Sequence, residues 1–499
     1  MLHILQVIFK HIVLISGLSF LFLTSCVQPR NEVHLKEVEV LVNHGEFLKA
    51  KQMIDSLKQF THINTVESRK MDSILDVMHR IRLDFSLDET QVKKQLSRYF
   101  AQPDDSLISQ WENSGKLEMR RIDGKKRYFN NAVPNLFRLD SLAAVQKVRV
   151  DGKQVNLLKL FRLKHIAEVI RESKGSSNPV LPVNMILTYT IKVKPNAVPA
   201  GAIIRCWMPF PRAGDPRQHD IKLLSSDPDS AIIAPKNYLQ RTVYLEKRAR
   251  KDQPTVFRIK FSMESSAQYF NLKPKDIKPY DKNSELYRKY TAQRPPQLVF
   301  NKEIRKLGAR LVGNTTNPLL KVEKIYTWIS DSITWASSLE YSIMPNIPEY
   351  VLAHRHGDCG MQTLLFMSLA RSQGIPVRWQ SGWMLFPVHV DLHDWSEVYY
   401  QGVGWVPLDQ SFGLQNSPNK QIRDFYMHGI DSYRLIVNDG YAQKLFPPKK
   451  YPRSAPYDFQ RGELEWKGGN LYFNKWTWHM DVEYIMKNGK IRHEGSGKF

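Results

Sequence analysis

Gly357-Asp358-Cys359-Gly360, followed by the mostly apolar run Met361 to Arg371 and closed by Gly374-Ile375-Pro376, decides how this 499-residue chain reads. Gly357-Asp358 offers a turn and a helix-capping side chain, and Gly374 before Pro376 offers a stop. The spacing predicts a buried helix with Cys359 in its first turn. A thiol placed there meets unpaired backbone N–H groups and the positive end of the helix dipole, both of which favour the thiolate a catalytic cysteine needs. A base must then take the sulfur's proton. Downstream, His393-Asp394-Trp395-Ser396-Glu397-Val398-Tyr399 and Trp405-Val406-Pro407-Leu408-Asp409 have strand character, with Gly402 and Gly404 between them. A hairpin centred near Gly402 brings His393 across from Asp409 or one pair away, where the carboxylate would orient the imidazole. A lone histidine would be read as an ordinary surface or core residue. The order cysteine, histidine, aspartate on helix, strand and next strand points instead to nucleophilic catalysis.

These blocks, together with Ala370-Arg371-Ser372-Gln373-Gly374-Ile375-Pro376-Val377-Arg378, resemble the transglutaminase-like superfamily over roughly residues 300 to 412. The resemblance implies a papain-like core in which Cys359 is the nucleophile, His393 the general base and acid, and Asp409 the group that holds the imidazole. The β-rich segment around Trp207-Met208-Pro209-Phe210-Pro211 is similar to the sandwich that precedes this core in some bacterial members. The expected fold class is α+β: a papain-like transglutaminase core, a preceding antiparallel β-sandwich and an N-terminal helical domain. Trp395 and Trp405 are candidates to wall the substrate's acyl group, with packing beside the hairpin as the alternative. Glu397 matches a family position and suits an ion pair. His354, His356 and His389 lie near the motif, yet without ligand spacing on one helix or a cysteine pair, so neither metal nor cofactor is expected.

The N-terminus sets the compartment. A weakly basic start (His3, Lys10, His11) precedes the apolar run Ile12 to Leu23, then Leu23-Thr24-Ser25 directly before Cys26. Small residues before a cleavage point mark a secretory signal, and a cysteine just after it resembles a bacterial lipoprotein box. An ordinary signal peptide or membrane helix is the alternative, but the polar Gln28-Pro29-Arg30-Asn31-Glu32 follows at once. Residues 1–25 then read as a lipoprotein signal peptide and Cys26 as the lipidated residue, which makes the chain an exported, membrane-anchored lipoprotein of the periplasm or outer membrane. Three cysteines are too few for a disulfide scaffold. Cys206, in an apolar strand-like run, reads as a buried core residue.

The remaining boundaries follow composition. Residues 26–178 read as a helical domain with a hairpin turning at Asp123-Gly124, 179–275 as the sandwich, 276–440 as the catalytic core and 441–499 as a C-terminal β extension. Within the sandwich segment, strands are expected at 185–193, 202–208, 240–245 and 256–263. The 72 Lys and Arg residues against 49 Asp and Glu give a formal charge of +23, a field that favours anionic partners. The basic residues lie in short scattered groups, so they read as a solvated surface, and no nucleic-acid partner is expected of an exported protein. The expected chemistry is acyl transfer through a thioester on a peptide or protein substrate, cell-wall peptide included. Hydrolysis is favoured, with a cross-linking transglutaminase and a non-catalytic scaffold lipoprotein as the alternatives.

Overall fold

The computed structural model describes residues 30–60, 64–101, 104–485 and 491–498, so the leader and Cys26 lie outside the described residues. The chain divides into two compact units, one within residues 1–94 and 118–130, the other within residues 95–117 and 131–499.

In the first unit, α1 (Arg30–Asn43), α2 (Phe47–Phe60) and α3 (Thr65–Asp84) bury one apolar face each: Val38 and Val42, Phe47, Ala50 and Ile54, then Met71, Met78 and Ile81. Asn64 starts α3 by accepting from the Val66 and Glu67 N–H groups, and Glu67 accepts in return from the Asn64 N–H. This reciprocal pair satisfies backbone donors that the first turn would otherwise leave free. α4 (Glu89–Leu96) and α5 (Asp105–Asn113) follow in the chain. Strands β1 (Met119–Ile122) and β2 (Lys125–Tyr128) pair with Ile122 opposite Lys125. The two turn residues, Asp123 and Gly124, take φ of 50° and 77°, as a tight two-residue hairpin demands.

The second unit continues with α6 (Ala132–Leu139), α7 (Ser141–Asp151) and α8 (Leu157–Ser173) and then builds two antiparallel sheets. β3 (Val180–Val193), β5 (Gln218–Asp227) and β8 (Thr255–Tyr269) belong to one sheet; β4 (Ile203–Pro209), β6 (Ile232–Ile233) and β7 (Thr242–Arg248) belong to the other. Alternation along β3 sends Leu187, Tyr189 and Ile191 inward, where they share a core with Trp207, Met208, Phe257 and Phe261. Cys206 is fully buried in that core as a free thiol. β5 was not expected, because its polar run Gln218-His219-Asp220-Ile221-Lys222 hides the period-two signal; it lies on the edge of β8 with two register shifts.

The region after the sandwich supplies α9 (Glu285–Thr291), α10 (Lys302–Val312), α11 (Pro318–Ser332), β9 (Thr334–Trp335), α12 (Ile347–His354), β10 (His356–Gly357) and α13 (Cys359–Ser372). A four-stranded antiparallel sheet follows in the order β13 (Gly404–Leu408), β12 (His389–Tyr400), β11 (Val377–Phe386), β15 (Arg434–Asn438). Between β13 and β15 come α14 (Lys420–Arg423) and β14 (Gly429–Ile430), and β14 pairs with β8. Trp383, Leu385, Val390, Leu435 and Val437 of this sheet join the sandwich core, so one continuous apolar body carries both parts. Gly382 permits the closest approach: a Cβ there would lie 1.9 Å from the Leu435 carbonyl oxygen.

The C-terminal strands β16 (Glu463–Trp466), β17 (Gly469–Asn470), β18 (Trp476–Ile485) and β19 (Ile491–Lys498) enter the sandwich sheets, β16 against β4 and β18 against β3. The 441–499 segment thus completes both sheets. Among the described residues no helix is long and apolar enough to cross a membrane.

Candidate active site

Helix α13 begins where its sequence says it should. Asp358 caps it by accepting from the Met361 N–H at 3.0 Å, and the same oxygen accepts from the Tyr341 hydroxyl at 2.5 Å. Residues Gly360 to Arg371 are all buried, so Cys359 stands at the one end of the helix that opens towards a cleft. Gly360 is required by this crowding: a Cβ would come within 2.2 Å of the Tyr341 hydroxyl oxygen and 2.6 Å of Asp394 Oδ2. Gly360→Ala is therefore expected to lower stability by about 1–3 kcal/mol, as overpacking of a filled site does, read as a fall in thermal midpoint.

The sulfur's partner is not the histidine. Cys359 Sγ donates to Asp394 Oδ2 at 3.4 Å, and among the described residues no hydrogen bond joins Cys359 to His393. Asp394 Oδ1 accepts from Gln460 Nε2 at 2.7 Å, and the same amide donates to the His393 carbonyl at 2.8 Å. His393 and Asp394 are neighbours on β12 and project to opposite faces. On its own face, His393 Nε2 donates to Asp409 Oδ2 at 2.7 Å. The register explains the contact, since Ser396 opposite Leu408 and Tyr400 opposite Gly404 leave His393 and Asp409 diagonal to one another across the hairpin.

Arg434 completes a buried ionic chain. Its Nη2 lies 2.8 Å from both Asp409 Oδ2 and Asp431 Oδ2. His393, Asp409 and Arg434 are 3%, 0% and 1% exposed. Burial alone would raise the Asp409 carboxyl, but the His393 imidazole and the Arg434 guanidinium hold it well below the usual carboxylate range. Burial pushes the Asp358 carboxyl upward, and the hydrogen bonds from Tyr341 and the Met361 N–H draw it part of the way back.

The thiol itself is tuned the other way. Burial, then the charges of Asp394 and Asp358, push Cys359 well above its ordinary value, so the helix terminus does not win here and the resting sulfur is protonated. Asp394 is raised in turn by burial and by Asp458 and Asp358, and burial lifts Asp458 to about 6. Position alone suggested a thiolate; desolvation and two adjacent carboxylates overturn that expectation.

Trp395 and Trp405 do not line the cleft beside Cys359. Trp395 is fully buried, donates to Gln380 Oε1 at 2.7 Å and lies beneath the Arg434 guanidinium. Trp405 packs edge-on against Tyr290 and Tyr399 and carries the Arg378 guanidinium at 4.4 Å. Both therefore pack the sheet, the alternative weighed from sequence. Glu397 pairs with Arg378 at 2.5 Å. His354 stacks on Tyr350, and His389 lies 3.7 Å from Asp391; among the described residues no three metal-ligating side chains are grouped. Sequence reasoning missed Tyr341, Gln460 and Arg434. Only Arg434 left a trace, as a charge at an inward position of the apolar run Arg434-Leu435-Ile436-Val437.

Residues 305–410 match the family model described as the transglutaminase-like superfamily. No curated protein matched the chain. Among solved structures, the chain is similar to a candidate cysteine protease from Cytophaga hutchinsonii, at 15% identity and a TM-score of 0.38, over 58% of this chain and 99% of that one. It is also similar to the periplasmic domain of TgpA from Pseudomonas aeruginosa, at 14% identity and a TM-score of 0.25, over 52% and 93% of the two chains. The helix bearing Cys359 and the hairpin joining His393 to Asp409 lie inside residues 305–410, the region that matches the transglutaminase-like superfamily model.

Proposed function

We propose that the chain is an exported, lipid-anchored thiol enzyme that breaks amide bonds in peptides or proteins, cell-wall peptides among them, through Cys359, His393 and Asp409. Because a carboxylate only accepts, Nε2 of His393 carries the proton shared with Asp409, and Nδ1 is the nitrogen left to serve as base. The thiol gives its proton to Nδ1 as the sulfur attacks the amide carbonyl, the carbon–nitrogen bond breaks, and Nδ1 protonates the departing amine. Water then cleaves the thioester, returning a proton to sulfur through the same nitrogen. In the resting structure Cys359 is hydrogen-bonded to Asp394, on the face of β12 opposite to the imidazole, so this transfer requires the site to rearrange.

The observation that carries the reading is the 2.7 Å His393–Asp409 pair one residue along the strand from the aspartate that holds Cys359. The 3.4 Å bond to Asp394 and the raised thiol favour, as a second reading, a scaffold whose site is idle. A labelled thiol-reactive probe separates the two. Selective labelling of Cys359 that falls about 100-fold in His393→Ala, in keeping with the size of general-base effects, marks an enzyme; slow and equal labelling of both proteins marks a scaffold. Supplying a glutamine peptide with a tagged amine then divides the reactions: ammonia release without incorporation is hydrolysis, and incorporation is cross-linking. The anchor rests on the leader and Cys26, and mass analysis of the mature N-terminus decides it.

A further inference from the structure

Arg434 and His393 share one oxygen. The guanidinium Nη2 lies 2.8 Å from Asp409 Oδ2, which also accepts from His393 Nε2 at 2.7 Å. The other oxygen of Asp409 accepts from the Ser411 hydroxyl at 3.2 Å and the Phe412 N–H at 3.3 Å, and the Tyr326 hydroxyl donates to the Asp409 carbonyl at 2.8 Å. The carboxylate is thus held against turning, with Oδ2 left to the imidazole and the guanidinium together. Arg434 is equally fixed. Its Nε and Nη2 donate to Asp431 Oδ2 at 2.9 and 2.8 Å, and the rings of Phe386, Trp395, Phe412 and Tyr426 surround it at 4.7 to 5.9 Å. Its Nη1 is buried with no hydrogen bond among the described residues. Burying a cation in this way is a poor route to stability, because apolar side chains could fill the space without the cost. The other ionisable groups around the pair stand further off. Tyr426 donates to Asp431 at 3.2 Å; Arg162 of α8 lies over the Phe412 and Tyr426 rings at 4.0 and 6.0 Å; His165 of α8 accepts from the Ser432 N–H at 3.3 Å and its charge reaches Asp431; Asp394 and Asp358 lie on the Cys359 side. Among the described residues, none of these contacts Asp409 Oδ2.

We propose that Arg434 is a positioning residue of the reaction: by sharing Oδ2 of Asp409 with His393, its guanidinium fixes that oxygen and weakens its hold on a protonated imidazole, so that Nδ1 can both take a proton and give it back. A bare buried carboxylate would stabilise the imidazolium strongly, and an imidazole that stays protonated is no base. The guanidinium offsets that pull, because a proton added to the His393–Asp409 pair is a second positive charge beside its own. Asp431 sets the balance from the far side, drawing off part of the guanidinium's charge. The Asp409 carboxyl, which burial raises, is held low by the imidazole and the guanidinium alike, in agreement with this division. The inference rests on His393 being the base.

Nuclear magnetic resonance tests this without turnover. The full-length chain is labelled with carbon-13 at histidine Cε1, and the His393 resonance, assigned by its loss in His393→Gln, is followed with pH. The midpoint belongs to the His393–Asp409 pair as a unit. Arg434→Met is expected to raise it by about one pH unit or more, since the nearest positive charge is gone. Asp431→Asn leaves that charge undivided and should lower the midpoint by about half a pH unit or more. Arg434→Lys, which restores the charge without the planar fork, should bring the midpoint back towards the parent. A packing role alone would lower thermal midpoints without moving these titrations in opposite directions. Asp431→Asn keeps an acceptor for the guanidinium and carries the test where Arg434→Met does not fold. The acid limb of Cys359 labelling by iodoacetamide should move with the titration in each variant. A titration that neither substitution moves, or that both move the same way, overturns the proposal even where labelling still depends on His393. Labelling that ignores His393 sinks the reaction itself, and the role of Arg434 with it.

Discussion

Arg434→Met is expected to cost about 3–5 kcal/mol of folding stability, the largest effect of any single change near the site. The guanidinium is 1% exposed and lies 2.8 Å from both Asp409 and Asp431, neither of which has any exposure. It also covers the rings of Phe412 and Trp395 at 4.7 and 5.3 Å. Methionine fills much of the same space, so the loss is chiefly one of charge: two carboxylates remain in a low-dielectric interior, Asp409 with His393 and Asp431 with the Tyr426 hydroxyl and the Tyr433 N–H, and the guanidinium between them is gone. Removing one anion as well should restore part of the loss, so Arg434→Met with Asp431→Asn should be more stable than Arg434→Met alone. Denaturant midpoints at an unchanged slope measure both. A single variant within about 1 kcal/mol of the parent would mean that water, and not the guanidinium, balances these carboxylates.

The same ionic chain shows where sequence reasoning reached and where it stopped. The capped helix behind Gly357-Asp358 and the turn near Gly402 were legible because both are local: a side chain that caps, glycines that turn, and a strand period of two. Register then follows by counting, which is how the proximity of His393 to Asp409 could be derived from residues sixteen apart. Arg434 and Gln460 were not legible, because each reaches the site from a strand or loop far along the chain, and nothing in their neighbours marks the destination. Similar reasoning explains the C-terminal strands. Composition marked 441–499 as a β extension, but the partners of β16 and β18, which are β4 and β3, lie more than 250 residues earlier, and only packing could choose them. The thiol was misjudged for a different reason. The helix-end effect is worth about 1 kcal/mol, and burial beside two carboxylates outweighs it, but that burial depends on Tyr341 and Asp394 closing over Cys359 from separate segments.

Asp409→Asn should abolish most of the activity while leaving the fold intact, with a fall in kcat/KM of about a thousand- to ten-thousand-fold, the range seen when an orienting carboxylate becomes an amide. The amide can turn its NH₂ towards Nε2, and the imidazole proton then moves to Nδ1, the nitrogen that must accept from sulfur. Shape is nearly conserved, so labelling of Cys359 by a small reagent in denaturant is unaffected and kcat falls more than KM rises. The acid limb of stability supplies a second, independent readout. Asp409 has a folded pKa below its unfolded one, so its contribution is fully present above the ordinary carboxylate value of about 3.9 and is lost as the pH falls from there through the folded value. Asparagine does not titrate; the variant should therefore be less stable than the parent at pH 7, and the difference should shrink as the pH approaches 3. Thermal midpoints of the two proteins between pH 3 and 7 test this directly. If activity stays within about tenfold of the parent, the His393–Asp409 pair is structural. If the midpoints differ by the same amount at every pH, the carboxylate is not held by the imidazole and Arg434 as the geometry requires.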